Sequence, residues 1–472
     1  MQTFDALYDQ KMKNGRYQLG LGFLGAVLNL LDGAFFTLIP FCVRFIQLDH
    51  ALDRSKAAFL NSVLLSGSIA AGPLAAFSLN YLGRKFTITF AAIVGLSAGA
   101  MVYFCDSFWS ILVVIGVIGM YDTTVISCLM LYLVETMTGS HKGKIIASVY
   151  SFFSFGRLFG TILARFTLSP YQQDGWKMPI FINCFILLFA FFLILFLLKE
   201  SIKYSYHKKR KGQAIEDFNA VQRINFPEAY LKANDMLISQ DDLRRLSSLA
   251  EVRTSSQADM GPRHSTGYYL LQVSLFLISI ICSLYAMIIH TLIVPNIMGT
   301  DSDSLNSNIV IMSGELIGVV LMVLFIENRH VGRKRIVLWS HALMAVSFGS
   351  YALFPQLSMV VVMYVAKVFL KTALSTSFIH LNESFPIAMR DKVVMFVTTT
   401  INVSSLAAPF LFDAALSFGK EYVFGLATVC AIIGFLANIF WISDLERPHK
   451  KAFEDMPVDE TMNTMIAEQN LS

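Results

Sequence analysis

Twelve long apolar runs, separated by short polar segments, dominate the sequence. A helix needs about 20 apolar residues to cross the hydrocarbon core of a bilayer, so each run is long enough to span it. We number the runs as spans 1–12 in chain order. They lie at about 19–42, 57–79, 86–104, 109–134, 145–168 and 178–198 in the first half, and at about 268–294, 308–326, 336–354, 358–381, 393–416 and 422–442 in the second.

The composition agrees with lipid as the solvent for most of the chain. Apolar residues make up 55% of the 472 residues and charged residues 15%, against roughly 45–50% and about 25% in soluble domains. A soluble protein of this size could not cover its apolar surface with so few polar residues. The sequence therefore predicts an all-α membrane protein, and it excludes a cytosolic enzyme, a secreted disulfide-rich domain and a disordered chain.

A polar stretch after span 6 divides the spans into two sets of six. Within this stretch Ile215, Phe218 and Val221 recur at three-residue intervals, and three leucines do the same over 243–249. These spacings predict short amphipathic helices, which leaves open a latch packed under the bundle or a solvated tether. The predicted segments are a cytosolic N-terminus at 1–18, an N-terminal six-helix bundle at 19–200, a cytosolic linker at 201–266, a C-terminal six-helix bundle at 267–442 and a cytosolic tail at 443–472.

The positions of lysine and arginine predict the orientation of the chain. Cytoplasmic loops carry an excess of these residues, and the loops after spans 3, 7 and 9 carry none. Both termini and the linker are therefore predicted to be cytosolic, and the identity of the membrane stays open. The net charge of +4 is too small to suggest nucleic acid. The basic groups on the predicted cytosolic side are Arg84-Lys85, Lys142 with Lys144, Lys208 to Lys211, Arg333 to Arg335 and Lys450-Lys451.

Two charged motifs occur once in each half, at offsets that differ by a single residue. Such agreement indicates a duplicated six-helix unit, and internal repeats of this kind are typical of secondary transporters. The first motif is Gly83-Arg84-Lys85 after span 2 and Gly332-Arg333-Lys334 after span 8. The second is Glu135 with Lys142 after span 4 and Glu383 with Arg390 after span 10.

Several motifs, in this order, resemble those of the major facilitator superfamily, nearest the branch of sugar porters, organic-ion transporters and synaptic-vesicle-glycoprotein-like proteins. The resemblance covers nearly the whole chain. It implies the major facilitator fold, with twelve transmembrane helices in two pseudo-symmetric six-helix bundles and spans 1, 4, 7 and 10 lining a central cavity. The matching motifs are Gly15 to Gln18, Asn80 to Lys85, Glu135 to Gly143, Gly175 to Lys177, Lys199 to Lys203 and Glu383 to Arg390.

The resemblance also implies a cytosolic gate of charged residues at the helix ends. Carboxylates at the ends of spans 4 and 10 can pair with Arg or Lys and hold the two bundles together while the outside is open. The alternative is that these residues only follow the positive-inside rule. The candidate gate residues are Asn80, Gly83, Arg84, Lys85, Glu135, Lys142, Glu200, Glu327, Arg333, Lys334, Glu383 and Arg390.

Two positions depart from the pattern of the family. Asn80 occupies the place of the signature Asp after span 2, and Ile115 occupies a place where relatives often have Arg. These changes favour an alternative in which the chain no longer transports and serves as a structural subunit, receptor or trafficking factor in a membrane assembly. The retained Glu135 and Glu383 argue against it.

Six Asp, Glu, Lys or Arg residues lie well inside the predicted spans, away from the span ends. A charge at the centre of a bilayer costs at least about 2.5–3.5 kcal/mol on insertion scales, so each residue needs a functional or structural reason. We take them as candidates for binding substrate or a proton. They are Asp32 in span 1, Asp122 in span 4, Arg157 in span 5, Glu315 in span 8, and Lys367 and Lys371 in span 10.

Each candidate has more than one possible role. Asp32 resembles the span 1 acidic site of proton-coupled relatives, with a fixed ion pair to Arg157 or a lysine as the alternative. Glu315 could contact a cationic ligand, or it could form an ion pair with Lys367 or Lys371 that only stabilises the bundle. The two lysines are four residues apart and share one helix face, which suits an anionic substrate. Their alternative role is to extend to the membrane surface.

The sequence predicts a secondary active transporter of a small organic solute that works by alternating access. An organic ion is favoured over a sugar, because 272–285 lacks the paired Gln of sugar porters and Tyr150 occupies the region of their span 5 Gln. Proton coupling stays open. No nucleotide-binding motif, metal-ligand spacing or acid–base cluster appears, so neither a cofactor nor an enzyme activity is expected. The protein is expected to be a monomer, with membership of a larger membrane complex left open.

Overall fold

Twelve helices in the computed structural model are long and apolar enough to cross a membrane, among the residues that it describes. Those residues are 8, 11–138, 142–168, 174–208, 210–233, 236–238, 266–298, 302–326, 332–384, 396–397 and 399–440. Spans 1–6 are Arg16–Asp49, Arg54–Tyr81, Arg84–Met101, Phe108–Thr136, Lys142–Thr167 and Lys177–Leu197. Spans 7–10 and 12 are Thr266–Ile293, Ser302–Phe325, Gly332–Leu353, Met359–Ser384 and Lys420–Phe440. Span 11 is Thr399–Phe418.

The number and order of the spans confirm the all-α membrane architecture predicted from the apolar runs. Span 1 differs most from its predicted bounds, because its helix continues to Asp49. A helix can extend past the hydrocarbon core wherever polar side chains at its ends remain in water. A 3₁₀ turn at Val102–Phe104 extends span 3, and a π turn at Val294–Met298 ends span 7.

The same helix pairs pack together in both halves of the chain. Span 2 packs on span 4, span 3 on span 4 and span 3 on span 6. In the second half span 8 packs on span 10, span 9 on span 10 and span 9 on span 12. Each pair in the second half thus consists of the spans that come six places after those of a pair in the first half. A duplicated six-helix unit produces this arrangement. The two sets meet chiefly through span 5 of the first set and span 8 of the second.

Spans 1 and 5 approach each other at backbone distance. A Cβ atom at Gly33 would overlap the carbonyl oxygen of Phe153, and one at Gly156 would overlap the carbonyl oxygen of Leu30. Small residues allow helices to pack this closely in a membrane. The contact fixes Asp32, next to Gly33, relative to Arg157, next to Gly156.

In the described part of the linker there are three short helices, α1 (Ile202–His207), α2 (Lys211–Asn225) and α3 (Glu228–Ala233). Helix α2 buries the predicted apolar stripe of Ile215, Phe218 and Val221. The leucine pattern at 243–249 lies outside the described residues.

Helix α2 holds the N-terminal segment against span 1. The Asn225 side chain accepts a hydrogen bond from the Tyr17 backbone N–H at 2.9 Å and donates one to Gln18 at 2.9 Å. Gln222 donates to the Lys11 carbonyl at 2.7 Å. These contacts pack helix α2 against the N-terminal segment and the start of span 1.

The crossing of spans 1 and 5 yields a prediction about stability. We expect Gly156→Ala to lower the free energy of unfolding by about 1–3 kcal/mol, because the new methyl group has no room. Gly425→Ala is the matched control, since a Cβ there meets no atom within 4 Å. It should be neutral or slightly stabilising, because Ala favours helix over Gly. Thermal unfolding of the purified protein in detergent would measure both, and equal effects would contradict the close approach.

Candidate functional site

Three of the six candidate residues form a buried ion triad at the junction of the two sets of spans. The Arg157 guanidinium lies 2.5 Å from Glu315 Oε1, and the Lys367 ammonium lies 2.9 Å from the same oxygen. The exposed fraction of Arg157 and Lys367 is 0%, and that of Glu315 is 2%. Glu315 therefore pairs with both cations at once, and Lys367 does not extend to a membrane surface.

Polar groups from spans 1 and 7 complete the surroundings of the triad. Arg157 donates to the hydroxyl of Thr37 at 3.2 Å and to that of Thr291 at 2.7 Å. Lys367 donates to Nδ1 of His290 at 3.3 Å. The His290 Nε2–H then donates to the Met363 carbonyl at 3.2 Å, which makes His290 a neutral acceptor for the lysine.

The triad ties the first set of spans to the second inside the membrane. Arg157 belongs to span 5, whereas Glu315 and Lys367 belong to spans 8 and 10. A buried charge whose partner is removed is left uncompensated, and breaking such a pair costs about 3–5 kcal/mol. The resting contact between the two sets is therefore ionic as well as apolar.

Asp32 and Asp122 form a pair of carboxyl groups on the first set of spans. Their side chains lie near enough to interact electrostatically, and each residue is half-buried. Asp122 Oδ1 is buried and makes no hydrogen bond within the described part of the chain. Two carboxyl groups can hydrogen-bond only when one of them is protonated, so the pair is suited to hold a proton. Among the described residues, no ion pair joins Asp32 to Arg157 or to a lysine, so its role stays a prediction.

Lys371 is the sixth candidate, and it faces the aromatic rings of span 5. Its ammonium lies 4.9 Å from the ring centroid of Tyr150 and 4.6 Å from that of Phe153. The side chain is 4% exposed and interacts electrostatically with Asp32 and Glu315. Among the described residues, no hydrogen bond or ion pair reaches the Lys371 ammonium. Its direct contacts are therefore with aromatic faces, which attract an ammonium group.

A second ionic cluster lies at the predicted cytosolic ends of spans 3 and 4. Arg84 donates to both oxygens of Glu135, at 2.6 and 3.2 Å. Glu200 accepts from the backbone N–H of Arg84 at 2.8 Å, and Ser201 hydrogen-bonds to Glu135. Gly83 adopts a φ of 100°, and a Cβ there would overlap the Glu200 carboxylate. Four predicted gate residues therefore meet in one place.

This cluster differs from the predicted clasp between the two bundles. Arg84, Glu135 and Glu200 all belong to the first set of spans or follow it directly, so their contacts brace one bundle internally. Asn80 contributes only its backbone carbonyl, which accepts from the Tyr204 hydroxyl at 3.1 Å, and Lys85 is exposed. An amide at position 80 supplies no charge to attract a partner from the other bundle.

The counterpart in the second half is described only in part. Arg333 and Lys334 lie in the first turn of span 9, and Lys334 donates to the Ile439 carbonyl at 3.5 Å, at the end of span 12. The gate between bundles remains a prediction for this half. The side chains of Lys142 and Glu383 and the whole of residues Glu327 and Arg390 lie outside the description.

Sequence reasoning missed the neutral residues that complete the site. Thr37 and Thr291 are 0% and 2% exposed and bind Arg157 directly. The ring of Phe153 contacts the Lys371 ammonium. Phenylalanine and threonine are both common in membrane helices, so neither stood out in the sequence. His290 differs, because a histidine within an apolar span stands out in the sequence.

The triad contains two cations and one carboxylate, and this imbalance yields a prediction about stability. We expect Glu315→Gln to destabilise the protein by about 3–5 kcal/mol, because two buried cations lose their counter-ion. Lys367→Met should cost less, since the Arg157–Glu315 pair survives. The double variant should be more stable than Glu315→Gln alone, because one unpaired cation is removed.

Thermal unfolding of the purified variants in detergent would measure this order. Glu216→Gln is the matched control, since Glu216 is exposed in the linker. A double variant less stable than Glu315→Gln would contradict the triad.

The sequence has relatives along most of its length. It matches the profile of the family described as "Sugar (and other) transporter" over residues 23–447. It is 21% identical to svop-1 of Caenorhabditis elegans over 90% of this chain and 82% of that protein. It is also 21% identical to organic cation/carnitine transporter 4 of Arabidopsis thaliana, over 84% of this chain and 73% of the relative.

Solved structures show the same fold. The proton:xylose symporter XylE bound to 6-bromo-6-deoxy-D-glucose matches with a TM-score of 0.69 and 16% identity, over 90% of this chain and 95% of that one. XylE from E. coli in a partially occluded inward-open conformation matches with a TM-score of 0.69 and 15% identity, over 93% and 98%. At this identity the likeness establishes the major facilitator fold, as the sequence motifs predicted.

Proposed function

Because the chain belongs to the sugar (and other) transporter family, we propose that it is a secondary active transporter that moves a small organic ion by alternating access. It is an integral, multi-pass membrane protein with twelve apolar helices. Both termini are proposed to lie on the cytosolic side, following the distribution of lysine and arginine.

The observation that carries this proposal is the group of charges between the two sets of spans. The family profile includes sugar transporters, and the relatives include a xylose symporter and an organic cation/carnitine transporter. A site for a neutral sugar needs hydrogen-bonding side chains but no net charges. Ionisable groups buried at membrane depth are costly, and they commonly mark an ion pathway. The charges therefore favour an ion.

The ion triad gives a physical account of alternating access. Arg157 and Glu315 belong to different sets of spans, so a rocking motion about the site changes their separation. Thr37 and Thr291 keep Arg157 hydrogen-bonded on both sides of the junction. We propose that the triad acts as the pivot, with the Arg84–Glu135 pair keeping the first bundle rigid as it moves.

The Asp32–Asp122 pair supports proton coupling. A proton shared by two carboxyl groups is gained or lost according to which side of the membrane the pair faces. Lys371 of span 10 and Tyr121 and Tyr150 of spans 4 and 5 interact electrostatically with the pair. Asp32 is the proposed carrier, with Asp122 as the group that shares its proton.

A transport-inactive chain in a membrane assembly is the second candidate. Asn80 and Ile115 favour it, since both replace charged residues of the family motifs. The bidentate Arg84–Glu135 pair argues against it, because that part of the cytosolic machinery is intact.

Uptake into proteoliposomes tests the proposal. We expect transport of one or more organic ions from a panel that also holds sugars, with accumulation when the outside is acidic. In Asp32→Asn the accumulation should fall to the level seen without a pH gradient, because the carrier cannot ionise.

Asp49→Asn is the matched control, since Asp49 is exposed at the end of span 1. Unchanged pH-driven accumulation in Asp32→Asn would remove Asp32 as the carrier. Failure to transport any solute, together with tight co-purification with other proteins, would favour the second candidate.

A further inference from the structure

A cavity of about 80 Å³ lies between the two sets of spans, and none of its lining residues belongs to either ionic cluster. It lies at the end of the spans opposite to the Arg84–Glu135 pair. Tyr17, at the start of span 1, hydrogen-bonds to Tyr132 beside that pair, whereas Arg44 of the cavity lies about 40 Å further along span 1. We call it the outer cavity, because this end of the spans is predicted to face away from the cytosol.

The lining of the outer cavity joins both sets of spans and is rich in polar groups. Spans 1 and 2 form one wall, and the end of span 7 and span 11 form the other. A cation of the first set and a carboxylate of the second share this space with three neutral amides. The polar lining residues are Arg44, Gln47, Asn61, Asn296 and Asp413, and the other lining residues are apolar.

Two of these residues each have a buried polar atom without a hydrogen-bond partner in the described part of the chain. They are Arg44, through the donor Nε, and Asn61, through the acceptor Oδ1. The Arg44 guanidinium donates to Gln47 Oε1 at 2.6 Å, and no described carboxylate lies within ion-pair distance of it. Buried polar atoms without partners are uncommon in native proteins. The cavity has room for a small solute that would satisfy both atoms.

The donors and acceptors of the lining define the solute that fits. A guanidinium offers only donors and is suited to bind a carboxylate through two N–H groups. Asn61 Oδ1 and the Asp413 carboxylate only accept, so the solute must also carry a donor. A simple carboxylate would leave these acceptors unmatched, and a neutral sugar would leave Arg44 without a counter-charge. A second carboxylate would be repelled by Asp413.

We propose that the outer cavity is the entry site of the transported solute, and that this solute is a hydroxy acid with one carboxylate, which binds Arg44, and a hydroxyl group, which donates to Oδ1 of Asn61. This inference rests on the proposed transport of an organic ion and names the class of that ion. Because the walls belong to both sets of spans, a rocking motion would open or close the site around the solute.

Matched small molecules test the proposal with the unmodified protein. The probes are α-hydroxy acids of three to six carbons, each with its unsubstituted acid, its methyl ester and its α-amino acid; lactate, propionate, methyl lactate and alanine are the smallest set. In calorimetric titrations of the purified protein, we expect one hydroxy acid to bind at least about threefold more tightly than the unsubstituted acid and tenfold more tightly than the ester.

Three results of these titrations would overturn the proposal. The first is an unsubstituted acid or an ester that binds as tightly as its hydroxy acid. The second is an amino acid that binds more tightly than its hydroxy acid, which would make the donor an ammonium group. The third is the absence of binding by every hydroxy acid in the series.

Two variants then place the solute in the cavity. Arg44→Gln should weaken binding of the hydroxy acid by roughly tenfold to hundredfold and leave binding of the ester unchanged, because only the charged contact is lost. Asn61→Leu should reduce binding of the hydroxy acid to the level of the unsubstituted acid. Unchanged binding of the hydroxy acid in both variants would show that the solute binds elsewhere and would refute the proposal.

Lys56→Gln is the matched control for charge. Lys56 is exposed in the first turn of span 2, next to the lining residue Ala57, and does not line the cavity itself. Its loss removes the same charge from the same end of the protein. An equal loss of binding in Lys56→Gln and Arg44→Gln would reduce the effect to general attraction and overturn the role of Arg44. If Arg44→Gln does not fold, the titrations of the unmodified protein still decide.

Uptake into proteoliposomes separates this inference from the proposed function. In Arg44→Gln the KM for the hydroxy acid should rise by roughly tenfold or more while kcat is retained, because the entry contact precedes the central ion triad. An unchanged KM, or uptake of other organic ions but of no hydroxy acid, would refute this inference alone. A hydroxy acid that binds, with no uptake of any organic ion, would refute the proposed function itself.

Discussion

The ion triad of Arg157, Glu315 and Lys367 is the interaction on which the arrangement of the two bundles depends. A guanidinium with no exposure to water needs a carboxylate, and in this protein that carboxylate comes from the other half of the chain. Apolar burial alone would not drive the two bundles together in lipid, since lipid tails are as apolar as leucine. A shared charge pair selects one position of span 5 against span 8.

The close crossing of spans 1 and 5 gives the triad its neighbours. Since Gly33 and Gly156 let the two backbones touch, Thr37 and Arg157 come within hydrogen-bonding distance. The same crossing sets Asp32 opposite span 4, where it meets Asp122. Backbone packing in the first bundle thus positions both the ion triad and the Asp32–Asp122 pair.

The residues of the site could be found from the sequence, whereas their pairing could not. Any ionisable residue in an apolar run stands out, because its transfer into lipid is costly wherever it lies on the helix. Pairing depends on the rotation and tilt of helices that are far apart in the chain. Glu315 was therefore expected to contact a ligand or a lysine, and its contact with Arg157 of the other bundle was not foreseen. Thr37 and Thr291 gave no signal at all, since placing a neutral hydroxyl in a membrane helix costs little free energy.

The sequence alone determined the twelve spans, their division into two sets and the family, because hydropathy and short motifs are local properties of the chain. Tertiary structure decided that the Arg84–Glu135 contact braces one bundle internally, and that Lys371 rests on aromatic rings rather than on a carboxylate. Both outcomes depend on which helix faces which. That choice is made by the packing of whole surfaces, and no short stretch of sequence records it.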